Sequence, residues 1–198
     1  MTALFSRRAL LSGGAALATA TLLPLPALAV TEAQARGMVD ALVAEVNAVI
    51  ASGKSEQAMY NDFATIFDRY ADVPTIAMYS LGNAGRAATP AQRQQFVGVF
   101  RTYIARKYGS RFREFVGGQI AVENARTINN YVEVQTTAYL RGEDPFRVDF
   151  HVSDQSGRNA FFNIIIEGVN MLLSERTEMA ALLDRHGGNV DALIASLR

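Results

Sequence analysis

The stretch Phe146-Arg147-Val148-Asp149-Phe150-His151-Val152-Ser153-Asp154 decides the fold class. Phe146, Val148, Phe150 and Val152 alternate with Arg147, Asp149, His151 and Ser153, and a period of two sends the two sets to opposite faces of a β-strand. One face is then apolar and the other wet, the pattern of an antiparallel sheet packed on one side. The same period holds on either side of this segment. It predicts strands over 119–126, 131–140, 146–154 and 158–167, joined by Ile128-Asn129-Asn130, by 141–145 and by Gln155-Ser156-Gly157. Turns this short suit an antiparallel meander. The fourth strand differs from the third, because Phe161, Phe162, Ile164, Ile165 and Ile166 make it apolar on both faces, as in a strand covered on both sides.

Upstream of Gly117-Gly118 the apolar period is near 3.6, and the reading changes to helices. Thr31-Glu32-Ala33-Gln34 is a capping box, and Val39, Leu42, Val43, Val46 and Ile50 form the stripe of the helix it opens, with Gly53 after its end. A second helix is expected over 55–70, with Met59, Phe63, Ile66, Phe67 and Tyr70 on one side. Asp72 caps a shorter third helix, with Pro74 in its first turn and Gly82 beyond its end. Thr89-Pro90-Ala91-Gln92 starts a fourth, which buries Phe96, Val97, Phe100, Tyr103 and Ile104 and stops near Gly109. After the sheet, two closing helices are expected over 169–186 and 189–197, separated by Gly187-Gly188. The fold class is α+β: a helical N-terminal half packed on an antiparallel sheet of about four strands, closed by two C-terminal helices.

The amino terminus has the form of a signal peptide. Arg7 and Arg8 precede the apolar run 9–23, which ends in Ala27-Leu28-Ala29, so cleavage is expected after Ala29. Ser6-Arg7-Arg8-Ala9-Leu10-Leu11 favours the twin-arginine route over the general one. Residues 30–198 then make one domain, expected in the periplasm. The chain has no cysteine, so the exported domain relies on its core and not on disulfides. Without Arg7 and Arg8, 17 basic residues stand against 19 acidic ones, a formal charge of −2. That balance offers no electrostatic footprint for nucleic acid or an anionic membrane surface.

The inventory of reactive groups is poor. There is no Gly-x-Ser-x-Gly elbow, phosphate loop, dinucleotide fingerprint or cysteine nucleophile, so no enzyme activity, cofactor or metal is expected. His186 falls at a helix carboxyl end, where it suits the dipole. His151, between Asp149 and Ser153, resembles an acid–base group but has no placed nucleophile; an enzyme reading would require it to face a pocket, against the strand alternation. Glu167-Gly168 reads as the junction of the last strand with a helix whose amino end the carboxylate would stabilise. Glu56, Asp68 and Asp72 lack metal-ligand spacing and read as helix surface and cap residues.

Several segments together carry a resemblance. Phe67-Asp68-Arg69-Tyr70 with Asp72, Ile76-Ala77, Leu81-Gly82, Arg86, Ala88-Thr89-Pro90, Gln92, and Phe96 with Phe100 are similar to the MlaC (toluene-tolerance) family of periplasmic phospholipid-binding proteins. Ile166-Glu167-Gly168-Val169-Asn170, Arg176 and the terminal 187–197 stretch continue it. The chain departs from the family at Gly85 and Asn159, where tryptophan is usual, and at Glu175, where tyrosine is usual. The resemblance implies that the sheet is curved and that it and the helices enclose an apolar lipid cavity for acyl tails. It implies a shuttle that carries phospholipid as cargo between an outer-membrane lipoprotein complex and an inner-membrane ABC transporter complex. The candidate lipid contacts are Val148, Phe150 and Val152 of the third strand, Phe162, Ile164 and Ile166 of the fourth, and Val169 and Leu172 just after it. Phe96, Phe100, Tyr103 and Ile104 of the fourth helix complete the set, although aromatic stripes of this kind are more often plain core. Which face of the fourth strand looks inward stays open at this level. Carriage of an isoprenoid or polycyclic lipid, and a non-lipid adaptor role, are the alternative readings.

Overall fold

Two reciprocal caps set the helical half in place. In the computed structural model, which describes residues 29–109 and 115–198, Thr31 Oγ1 accepts from the Gln34 backbone N–H at 3.2 Å while the Gln34 side chain accepts from Thr31 N–H at 3.0 Å. These bonds satisfy amides that α1 (Glu32–Ala51) would otherwise leave open. Thr89 and Gln92 repeat the arrangement at α5 (Pro90–Gly109), with distances of 3.2 and 3.0 Å. Between them, Ser55 caps α2 (Glu56–Tyr70) and the Asp72 carboxylate caps α3 (Val73–Leu81) by accepting from Thr75 N–H at 3.2 Å. A five-residue helix, α4 (Asn83–Ala87), fills the stretch that the sequence reading passed over. The proposed signal peptide lies outside the described residues, apart from Ala29.

Five strands form one antiparallel sheet in chain order: β1 (Gln119–Ile128), β2 (Tyr131–Tyr139), β3 (Phe146–Ser153), β4 (Ala160–Ile166) and β5 (Val169–Asn170). The fifth corrects the sequence reading at Glu167-Gly168. Both residues have positive φ, +48° and +78°, and they make a two-residue hairpin turn that pairs Ile166 with Val169. Glu167 does not cap a helix. Its carboxylate accepts from the Arg147 backbone N–H at 2.6 Å, and α6 (Met171–Arg185) is capped by the Asn170 side chain, which accepts from Leu173 N–H at 3.0 Å. Asn189 caps α7 (Val190–Ser196).

The register decides which face of β4 looks inward. Val134, Phe150 and Ile164 are in line across β2, β3 and β4, as are Thr136, Val148 and Ile166. Bulges at Val122/Asn124 and His151/Val152 bend the sheet, and beyond the second of them Val152 pairs with Phe161. Helix α1 packs on β1, β2 and β3, whereas α3 and α6 reach β4. Asn47 fastens α1 to the sheet edge, accepting from Ile120 N–H and donating to Ile120 O, each at 2.9 Å.

At the other side, the junction of α2 and α3 is bonded to the start of β4. Ala71 bridges Phe161, Asp72 N–H donates to Phe161 O at 2.8 Å, and the Arg158 guanidinium donates to Arg69 O at 2.7 Å and Ala71 O at 2.6 Å. Phe161 itself packs between Phe67 and Phe150, with ring centroids 6.2 and 5.7 Å away. The same core continues into the helical layer, where α5 lies against α2, α3 and α7. Phe96 and Phe100 belong to it, fully buried with rings 5.6 Å apart.

The outer face of the sheet is less wet than its alternation suggests. Arg147 is exposed and holds both Asp149 oxygens, at 3.0 and 2.9 Å, but Ser153 is buried and the His151 side chain is only 12% exposed. Tyr131 covers the imidazole at a centroid distance of 4.6 Å, Asn163 Nδ2 lies 3.3 Å from its Nδ1, and Glu133 lies 3.6 Å from its Nε2. Glu133 in turn accepts from Arg126 at 2.8 Å and Gln135 at 3.0 Å. Burial pushes the His151 pKa down, and the nearby Glu133 and Asp149 only partly oppose it.

Phe100→Ala should destabilise the fold by about 3–5 kcal/mol, because a fully buried ring between helices leaves a cavity that cannot collapse completely, and urea unfolding measures it. His151 protonates less readily when folded than when unfolded, so it stabilises the fold above its ordinary value of 6.5 and that contribution is lost as pH falls below it. The melting temperature of His151→Gln should therefore drop less than that of the parent protein between pH 7 and pH 5.

Candidate functional site

The inner face of the sheet and the helices above it do not meet everywhere. Val132, Val134 and Val152 are fully buried at one end, whereas toward the other the two layers diverge around an apolar cavity of about 600 Å³. Phe146, Val148 and Phe150 of β3 and Phe161, Ile164 and Ile166 of β4 supply its floor. Leu42 and Val46 of α1, Phe63, Ile66 and Phe67 of α2, and Ile104 of α5 supply the roof. Val169, Met171 and Leu172 form the side at the β5–α6 junction. The exposed members of the lining, Glu143, Glu167 and Val169, mark where the cavity opens to solvent.

Of the candidate contacts read from sequence, Ile104, Val148, Phe150, Phe162, Ile164, Ile166, Val169 and Leu172 border this space. Phe162 does so at the β4 bulge, while its ring also packs on Tyr131 and His151, 5.6 and 6.0 Å away. The other four do not line it. Phe96 and Phe100 are core between helices, Val152 is sealed at the closed end, and Tyr103 belongs to a polar cluster behind the wall. Sequence reasoning left out Leu42, Val46, Ile66, Phe146 and Phe161 as cavity residues, since apolar stripes have the same appearance whether they meet side chains or a void.

Two of the polar side chains in this lining are buried. Asn163 is buried, and its Oδ1 accepts from Ile164 N–H at 2.9 Å and from Leu172 N–H at 3.0 Å, tying β4 to the first turn of α6. Glu175 of α6 is only 3% exposed, and its Oε1 accepts from Lys107 Nζ at 2.7 Å and from the Tyr108 hydroxyl. Lys107 also reaches Glu178 at 2.5 Å, and Glu178 accepts from the Tyr103 hydroxyl. Burial, reinforced by these glutamates, pushes both phenols far above their ordinary range. Burial alone would lower the Lys107 pKa, but its bonds to Glu175 and Glu178 more than reverse this and hold it charged.

His151 and Asp149 lie on the far face of β3 and neither borders the cavity. Among the described residues no group of three His, Asp or Glu side chains could hold a metal ion, and no helix is long and apolar enough to cross a membrane. The chemistry of the cavity is thus that of a container: a hydrocarbon-like interior, an acidic polar spot in one wall and an open end.

Comparison with known proteins agrees with this architecture. The fold matches that of a phospholipid-binding protein from Ralstonia solanacearum, whose structure was determined in complex with a phospholipid. The TM-score is 0.70 at 22% sequence identity, over 82% of this chain and 94% of that one, so the likeness is one of fold. The sequence of residues 38–198 matches the family described as MlaC protein. By that match, which spans nearly all of the helices and the whole sheet, the chain belongs to the MlaC family.

Proposed function

We propose that this protein is a phospholipid carrier of the periplasm, exported with cleavage after Ala29, that shuttles lipid between outer and inner membranes. In this reading it is the soluble component of an ABC-transporter-linked system and exchanges cargo with an outer-membrane lipoprotein complex and an inner-membrane transporter complex. The observation that carries the proposal is the open-ended apolar cavity between the sheet and α1, α2 and α5. The phospholipid bound by the Ralstonia solanacearum protein of the same fold supports the choice of cargo.

Physical chemistry explains why such a protein is needed. Two acyl chains expose on the order of 30 methylenes, and at about 0.8 kcal/mol each their hydration costs more than ~20 kcal/mol. Free passage of a lipid through water is then negligible. A cavity within the range of about 300–1,000 Å³ typical of ligand sites can shield much of that surface, while a charged head remains in water at the mouth. This role is binding and transport, with no bond made or broken.

Protein purified from a bacterial host should carry glycerophospholipid, detected by mass spectrometry of denatured extracts. An extract with no lipid above a control protein would sink the proposal, and an isoprenoid or polycyclic lipid would change its cargo. The floor of the cavity is tested by Val148→Asp and Ile164→Asp, set against Arg147→Ala on the outer face. A carboxylate among acyl tails is desolvated at a cost of several kcal/mol, whereas Arg147→Ala should stay within about 0.5 kcal/mol of neutral. The two Asp variants should lose bound lipid and Arg147→Ala should keep it, with circular dichroism and melting confirming that each is folded. Full lipid content in a folded Asp variant would refute the assignment of this face.

A further inference from the structure

Asn163 joins the outer face of the sheet to the wall of the cavity. It pairs with His151 across β3 and β4, and it also belongs to the cavity lining. Its Oδ1 already accepts from two backbone donors, Ile164 N–H and Leu172 N–H, so the side-chain amide is held one way round. Nδ2 is then left to face His151 Nδ1 at 3.3 Å. An amide nitrogen only donates, so Nδ1 is the bare, accepting nitrogen of the imidazole, and the ring proton sits on Nε2, toward Glu133 Oε2 at 3.6 Å. The neutral ring is thus matched on both sides. It has little room to turn, because Tyr131 covers it at 4.6 Å, Phe162 flanks it at 6.0 Å, and its side chain is only 12% exposed.

We propose that a proton on His151 loosens the cavity wall through Asn163, so that the protein holds lipid at neutral pH and releases it faster in acid. The inference rests on the carrier reading of the cavity and adds a trigger to it. Protonation puts an N–H on Nδ1, pointed at the Asn163 amide donors. Donor against donor is unfavourable in a buried place. Turning the amide over gives Oδ1 to the imidazolium, but it takes the acceptor away from Leu172 N–H and Ile164 N–H. Leu172 lies in the first turn of α6, where its amide has no partner within the helix. Val169, Met171 and Leu172 are the side of the cavity, so an unfastened α6 amino end is an unfastened wall. The groups around the ring set where this happens. Glu133 of β2 and Asp149 of β3 favour the proton, but Arg126 of β1 and Gln135 already donate to Glu133, and Arg147 holds Asp149. Burial outweighs both carboxylates and places the change below the ordinary histidine value.

The purified protein is loaded at pH 7.5 with a phospholipid bearing a pyrene-labelled chain. Transfer of the label to phosphatidylcholine vesicles, whose heads keep their charge over this range, is then timed between pH 7.5 and pH 5. Transfer from the unaltered protein should become about tenfold faster at pH 5, within the range of ordinary coupling between two sites. His151→Gln keeps an acceptor for Asn163 but takes up no proton, so it should load equally at pH 7.5 and lose the acceleration. His186→Gln, at the far end of α6, should retain it. Glu133→Gln removes the carboxylate that faces Nε2 and should move the acceleration to lower pH, which tests the titrating group even if His151→Gln does not fold. The route through Asn163 is read by deuterium exchange: relative to their intrinsic rates, the amides of 171–174 should exchange faster at pH 5 in the unaltered protein and not in His151→Gln. Equal transfer at both pH values, or an acceleration that survives His151→Gln or is unmoved by Glu133→Gln, would overturn the proposal. So would an acceleration without opening at 171–174, or with opening throughout the chain. A protein that takes up no label at pH 7.5 would overturn the carrier reading along with it.

Discussion

The bonding of Phe161 to the α2–α3 junction is the constraint on which the rest of the structure depends. Two backbone carbonyls at the end of α2 receive the Arg158 guanidinium, and Asp72 N–H donates to Phe161 O, so the helical layer is held against the start of β4. The Phe161 ring fills the space beneath. On the opposite edge, Asn47 holds α1 to Ile120. With helices and sheet fixed at these places, and the sheet bent by two bulges, the layers cannot lie parallel along their whole length. They meet over Val132, Val134 and Val152 and separate over Val148, Ile164 and Ile166. The void lies where the bent sheet and the helices joined to its two sides separate.

Such a void would ordinarily be unfavourable, because an interior at native density has few gaps larger than a water molecule. Its lining shows how the cost is contained. Most of it is apolar, so no polar group of the floor is stranded, and the buried Asn163 amide is engaged by two backbone N–H groups. Those bonds also orient α6, whose amino end would otherwise present open amides toward the cavity. The Glu167-Gly168 turn completes the same corner, its carboxylate meeting the Arg147 amide across the hairpin. Glu175 stands apart as a buried acceptor with one oxygen unmet among the described residues.

Much of the fold was legible because its signals are local. Thr31 with Gln34, Asp72, and Thr89 with Gln92 announce helix starts through side chains that bond their own backbone, and the alternation through Phe150 announces a strand whatever surrounds it. The hairpin at Glu167-Gly168 was not legible for the complementary reason: glutamate with positive φ is uncommon, and only the turn's pairing of Ile166 with Val169 accounts for it. Helix α4 is a single short stretch without a side-chain cap. The site was read partly, for a third reason. Phe63 and Phe67 on α2 and Phe96 and Phe100 on α5 share residue type and helical spacing, yet the first pair meets the cavity and the second meets other helices. Nothing in either stripe records what lies opposite. His151 shows the same limit, since its place in an alternating strand says which face it takes but not that Tyr131 and Glu133 will cover it.

In the proposed role the protein has to release the lipid it holds, and the open end bears on this. A chamber closed on every side would pass its cargo on only after unfolding some part of the wall, and the affinity gained from burying the last methylenes would appear as slow dissociation. Here the closed end is packed shut over Val132, Val134 and Val152, and the lining becomes exposed toward Glu167 and Val169. A tail drawn out past that edge exchanges one apolar surface for another if an acceptor presents its own at the mouth, so its methylenes need never be hydrated all at once. The barrier then reflects the short stretch of chain crossing between two surfaces and not the whole hydration penalty of the lipid, which is how a strongly bound apolar cargo can still be handed over.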